Sequence, residues 1–126
     1  MRPKSLAAVA QLTAQGDSFD RCFSNFLDEF YVMPNASALA DEPALLAPEL
    51  GELGSIQDAY LAAAAEELAR KFSLQHPAWT SSSNRSLRRP WFASPLAALR
   101  AVLLLESPAA FRSRNLFVSE NALSRA

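Results

Sequence analysis

His76 lies just upstream of Ser81, Ser82 and Ser83, the one place where a possible general base approaches a cluster of hydroxyl nucleophiles in sequence. A Ser–His pair of this kind would support acyl-transfer or hydrolytic chemistry. His76 is the sole histidine, so paired-His metal motifs are ruled out and any Ser–His or Cys–His mechanism rests on this residue. It precedes Pro77 and follows Leu74, a setting for a turn histidine or a helix C-terminal charge, and that reading is preferred over catalysis. Asp28-Glu29, Asp41-Glu42 and Glu66-Glu67 are adjacent carboxylates. Neighbours on a helix diverge, so none of them forms an acid–base couple. Gly16, Gly51 and Gly54 are the only glycines, too few and too scattered for a phosphate-cradling loop. Cys22 stands alone, which excludes an intrachain disulfide, a Cys-rich zinc site and a CxxC pair. The expectation is a non-enzymatic protein without cofactor or metal.

Recognition is the chemistry this sequence favours. Residues 1–71 carry 11 acidic and 5 basic side chains, a net of −6, whereas residues 72–126 carry 2 and 7, a net of +5; together they give the overall −1. Arg85, Arg88 and Arg89 lie between Trp79 and the Pro90-Trp91-Phe92 run, with Arg112 and Arg114 further on. Aromatic residues beside arginine are typical of binding hot spots and of single-stranded nucleic-acid platforms. Trp79, Arg85, Arg88, Arg89, Trp91, Arg112 and Arg114 are therefore the candidate partner-binding residues. Two structural alternatives stand beside this reading. The basic half can pair internally with the acidic half, and both tryptophans can pin the loop to the core.

Helical periodicity must supply the frame. Asp17 is a candidate N-cap, after which Phe19, Phe23, Phe26, Leu27 and Phe30 fall on one helix face, and Pro34 supplies a stop. Residues 36–50, with Pro43 and Pro48, read as short turns and loops. Ser55 and Asp58 resemble a capping box opening the longest helix, about Ile56 to Leu74, with Glu66–Arg70 and Glu67–Lys71 on its solvated side. Residues 76–90 read as a long exposed Ser/Arg/Trp loop anchored by its aromatic ends. Ser94-Pro95 starts a helix over Leu96 to Leu105 that is apolar on nearly every side, which predicts the central, most buried element. Ser107-Pro108 starts another, ending near Arg114, and Ser119 caps a last short helix. Leu116-Phe117-Val118 is the only β-leaning run. The fold class is all-α, a single domain over residues 1–126, a compact bundle of about five to seven helices.

At 126 residues with half of them hydrophobic, the chain is long and apolar enough to fold around its own core. The apolar stretch Leu6 to Ala10 is shorter than a signal-peptide core, and Leu96 to Leu105 is about half of the ~20 residues that span a bilayer. With one cysteine, these features predict a cytoplasmic protein without a membrane partner.

The runs Phe26-Leu27-Asp28-Glu29-Phe30-Tyr31, Ala59-Tyr60-Leu61-Ala62, Pro77-Ala78-Trp79, Arg89-Pro90-Trp91-Phe92 and residues 107–118 together resemble a family of small uncharacterised bacterial helical proteins. The last run, from Ser107-Pro108-Ala109-Ala110-Phe111 to Leu116-Phe117-Val118, is its most specific part. The resemblance implies a link to nucleotidyltransferase-like partners in toxin–antitoxin or defence gene pairs, and hence an antitoxin or accessory subunit with a protein partner. It implies no catalytic residue. The leading expectation is a protein-interaction module; the alternative is nucleic-acid binding through the Arg/Trp-rich half, which the sequence pI near 5.8 disfavours.

Overall fold

Five apolar side chains at three- and four-residue steps from Phe19 make one helix inevitable, and its burial organises the N-terminal half. The computed structural model describes residues 2–125. In it α1 (Leu6–Ala14) packs against α2 (Phe19–Val32), and Phe23, Phe26, Leu27 and Phe30 are buried on the predicted face. The cap is Ser18 rather than Asp17: its Oγ accepts from the Arg21 amide at 3.2 Å. Helix α2 stops at Met33, immediately before Pro34.

Two one-turn helices follow, α3 (Ser37–Ala40) and α4 (Ala47–Leu50), and then α5 (Glu52–Lys71). Helix α5 begins four residues before the expected start, running straight through Gly54 and Ser55. Gly54 is required there, because a Cβ would lie 2.4 Å from the Leu46 carbonyl oxygen, so the α4 entry sits directly on the α5 backbone. Asp58 does not close a capping box with Ser55. It is fully buried and its two carboxylate oxygens accept from the Leu46 and Ala47 amides at 2.7 and 3.1 Å, capping α4 from a neighbouring helix.

Helix α5 is the central element. Ala59, Leu61, Ala62, Ala63, Ala64, Ala65, Leu68 and Ala69 are all buried, and α4, the two 310 turns (Ala78–Ser81 and Ser83–Arg85), α7 (Ala109–Arg112) and β2 (Leu116–Phe117) pack around it. Alanine on successive positions lets neighbours approach the helix from most sides. Its outer face is not simply solvated: Arg70 pairs with Glu67, while Glu66 reaches Arg114 at 2.9 Å. Lys71 lies over the Tyr31 ring at 5.6 Å.

Strand β2 has a partner that the sequence pattern does not reveal. It pairs in parallel with β1 (Trp91–Phe92), in the register Trp91–Leu116 and Phe92–Phe117. Asn115, at φ 64°, donates its side-chain amide to the Leu87 carbonyl at 2.8 Å and aligns the two segments.

The largest departure concerns α6 (Ala97–Glu106), which joins β1 to α7. Its apolar content predicts the most buried helix, yet Leu103 is its only buried residue, and Leu96, Leu99, Val102, Leu104 and Leu105 are exposed, Leu105 to 83 %. The helix leans on β2 and is anchored at its end by Ser107, whose buried Oγ accepts from the Val118 amide at 2.7 Å and donates to the Leu103 carbonyl at 2.6 Å. The expected last helix after Ser119 is a turn. The architecture is all-α, seven helices with one minimal sheet among the described residues. Among the same residues no helix is long and apolar enough to cross a membrane.

The close approach at Gly54 gives a direct check. Gly54→Ala should lower unfolding free energy by about 1 to 3 kcal/mol, because backbone atoms of Leu46 must move. An unchanged urea midpoint would show that α4 does not rest on this position.

Candidate functional site

Burial divides the predicted partner-binding residues into two groups. Arg85 is 0 % exposed and Arg114 6 %, and Trp79 is buried with its indole N–H donating to the Leu39 carbonyl at 3.0 Å. These three residues do not belong to a surface. The Arg85 guanidinium donates to the Pro43 and Asp58 carbonyls, reaches Glu42 at 3.4 Å, stands 3.8 Å from the Asp58 carboxylate and stacks over the Trp79 ring with Cζ 4.9 Å from its centroid. Arg114 donates to the Ala110 and Thr80 carbonyls at 2.7 and 2.9 Å and to Glu66. Charge pairing between the basic and acidic halves is thus internal at Arg85 and Arg114, and also at Arg125, which binds Asp28 at 2.8 Å. The hydrogen bond from Arg125 holds the Asp28 carboxyl below its usual range. The expected loop over residues 76–90 is accordingly anchored through its middle as well as its ends.

Arg88 and Arg89 remain exposed, and Trp91 is half-buried. They do meet. A depression of about 230 Å³ is lined by Arg88, Arg89, Pro90, Trp91, Leu87, Ile56 and Glu52. Trp91 and Ile56 are also the near wall of a larger groove of about 580 Å³ between α2, α5, β1 and residues 118–125. Phe19, Phe23 and Tyr60 form its aromatic side, with Phe19 stacked on Phe23 at 5.9 Å and Tyr60 edge-on to Phe23 at 5.3 Å. Leu53, 56 % exposed, stands on the same groove, and the buried Oε1 of Gln57, another lining residue, has no protein partner. Burial pushes the Tyr60 phenol up to about 12. Arg112 is exposed on α7 and lines neither depression.

The groove residues escape a reading of the sequence because the aromatic stripe of α2 has the uniform pattern of a core face. Phe19 is the exception, being only partly buried at the first turn. Glu42, Asp58 and Glu66, the carboxylates that draw Arg85 and Arg114 inward, lie 27 to 48 residues from them in sequence, so no local spacing marks the pairs.

The Ser–His pair suggested by the sequence does not assemble among the described residues. His76 is exposed in the segment after α5, the Ser82 hydroxyl is engaged with Asn84 Oδ1 at 2.7 Å, and no hydrogen bond joins His76 to Ser81, Ser82 or Ser83. Cys22 is buried, and burial raises its thiol pKa, which keeps it protonated. No group of three or more His, Cys, Asp or Glu side chains converges as a metal site among the described residues. The chain matches no protein-family model, no curated protein and no solved structure.

Two expectations separate the buried from the exposed arginines and test the groove wall. Arg85→Ala should cost about 3 to 5 kcal/mol of stability, since it leaves Asp58 and two chain carbonyls without their partner, whereas Arg88→Ala should stay within about 0.5 kcal/mol. Equal effects in chemical denaturation would overturn this division. The raised Tyr60 pKa contributes stability that is whole below pH 10 and is lost as pH rises toward about 12, because the unfolded state releases its proton first. Tyr60→Phe should therefore remove on the order of 2 kcal/mol of alkaline destabilisation, read as the difference between wild-type and variant unfolding curves across that window.

Proposed function

We propose that this protein is a non-enzymatic interaction module that binds another protein through the Trp91 groove and its Arg88–Arg89 rim. The observation that carries the reading is the wall that the two depressions share. An apolar, aromatic-walled groove of about 580 Å³ shares Trp91 and Ile56 with the pocket that carries the exposed Arg88 and Arg89. Aromatic anchors within an apolar hollow, with arginine at the edge, are the composition of binding hot spots. The partner segment this suits is an amphipathic helix whose apolar face fills the groove and whose acidic residues meet Arg88 and Arg89. An antitoxin or accessory-subunit role, acting on an enzyme by occupying it, fits a module of this kind and accords with the family resemblance.

Nucleic-acid binding is the weaker reading. With Arg85 and Arg114 buried and Arg125 paired, the phosphate-facing charge near the aromatic wall is reduced to Arg88 and Arg89. Affinity for a phosphate backbone and its salt dependence both scale with the number of phosphates neutralised, and two arginines neutralise few.

Tagged protein recovered from its native host after nuclease treatment should retain a stoichiometric protein partner. Trp91→Ala and Leu53→Glu should each weaken retention about tenfold or more, while Arg112→Ala leaves it intact. Absence of any stoichiometric partner, or loss of all bound material to nuclease, would reject the reading.

A further inference from the structure

The groove beside Trp91 holds polar groups that a purely apolar occupant would leave unused. Gln57, on α5, lines it and is 8 % exposed, and its buried Oε1 accepts from nothing in the protein. Native folds rarely keep a buried oxygen without a donor, because its lost hydration is not made good. Asp20, in the first turn of α2, lines the same groove, and among the described residues no salt bridge engages it. Its neighbour Arg21 turns to Asp17 instead, at 3.8 Å. The one other charged lining residue is Arg125, whose guanidinium is held by Asp28 at 2.8 Å. Arg88 and Arg89 line the depression beyond the Trp91–Ile56 wall, to which α2 contributes no residue. The charge left uncompensated in the groove is therefore negative.

The remaining walls suit a cation as well. Phe19 and Phe23 are stacked, and Tyr60 stands edge-on to both at 6.0 and 5.3 Å, with Trp91 on the same groove. Aromatic faces carry the negative part of the ring quadrupole and attract a cation that has left water. Gln57 and Tyr60, three residues apart on α5, are neighbours on one helix face. The Asp20 charge is felt at that face, since it adds to burial in pushing the Tyr60 phenol up to about 12.

We infer that the groove contains a subsite for an arginine side chain of the partner segment, its guanidinium donating to Asp20 and to Gln57 Oε1 beside the aromatic rings. The inference rests on the interaction-module reading and deepens it: the segment carries one arginine within its apolar face, besides the acidic residues that meet Arg88 and Arg89. An apolar side chain would leave both acceptors unused, and an acidic one would repel Asp20. Lysine brings a compact, strongly hydrated ammonium. The guanidinium is planar and weakly hydrated, stacks on rings, and its five N–H groups serve a carboxylate and an amide oxygen together.

Titration of the full chain with Nα-acetyl-arginine amide, followed by NMR, tests the subsite directly. The Gln57 side-chain amide and the Trp91 indole N–H should shift saturably, with a Kd of about a millimolar. The citrulline analogue, neutral and of the same shape, and the lysine analogue should each bind about fivefold or more weakly. Asp20→Asn, at an exposed position, should weaken the arginine probe about fivefold or more, while Glu49→Gln, an exposed carboxylate outside the groove, leaves it unchanged. Gln57→Met should weaken the probe and also raise the urea midpoint, because it removes the orphaned oxygen at similar length; a glutamine with only a structural role would lower that midpoint. No saturable shift, equal binding of either analogue, or undiminished binding by Asp20→Asn would each overturn the assignment. Because the probe is added directly, its failure while a partner is still retained rejects the arginine subsite alone, and saturable binding without any retained partner rejects the module alone.

Discussion

Arg85 is the constraint on which the rest of the structure depends. Its guanidinium reaches the Pro43 and Asp58 carbonyls, the Glu42 and Asp58 carboxylates and the face of Trp79, so three stretches distant in sequence meet on one planar group. Asp58, 3.8 Å from it, spends its own oxygens on the Leu46 and Ala47 amides. The pair therefore works less as a direct salt bridge than as two charged groups that each satisfy otherwise orphaned backbone atoms, with Coulomb attraction offsetting part of their desolvation. This arrangement fixes the α4 entry over Gly54, and α4 in turn sets where α5 can begin. Arg114 repeats the device about two turns further along α5, where it pairs with Glu66 and binds the Thr80 and Ala110 carbonyls.

The charge asymmetry between the two halves of the chain acquires a physical meaning from this. The acidic N-terminal half supplies Glu42, Asp58, Glu66 and Asp28, and the basic C-terminal half supplies Arg85, Arg114 and Arg125. Opposite net charges draw the later segments back across α5 and α2. Three of the seven basic side chains after residue 71 are thus used in holding the fold together, and Arg88 and Arg89 are what remains beside the aromatic groove.

How far the chain is legible in advance depends on how local each signal is. The α2 stripe is legible because burial there follows a strict helical period, and the all-α class follows from periodicity alone. The centre of the fold is not. Leucine content points to α6, whereas the alanines of α5, each contributing little apolar area, occupy the middle because their small volume admits neighbours on several sides. Hydropathy marks an apolar segment and is silent about where the fold places it, so α6 reads as a core helix although the fold leaves it exposed. Trp91, Arg88 and Arg89 are legible as a candidate site from composition. Trp79 and Arg85, six positions apart and equally prominent, face inward because the Leu39 and Pro43 carbonyls wait for them there.

Position relative to β1 explains why neighbouring arginines meet opposite fates. Arg85 closes a 310 turn packed on α5, and its side chain points at the α5–α4 junction. From Leu87 the chain is already tied to the 114–117 segment through the Leu87 amide and the Arg114 carbonyl at 3.1 Å, then through Trp91 and Asn115 at 2.8 Å. Once the backbone is committed to that ladder, Arg88 and Arg89 span the gap between two anchored points over the edge of α5, where Glu52 and Ile56 form the opposite wall. Their exposure is a consequence of strand pairing. The same pairing sets Trp91 at the boundary of both depressions and launches α6 away from the body, so a two-residue sheet determines the placement of both exposed surfaces.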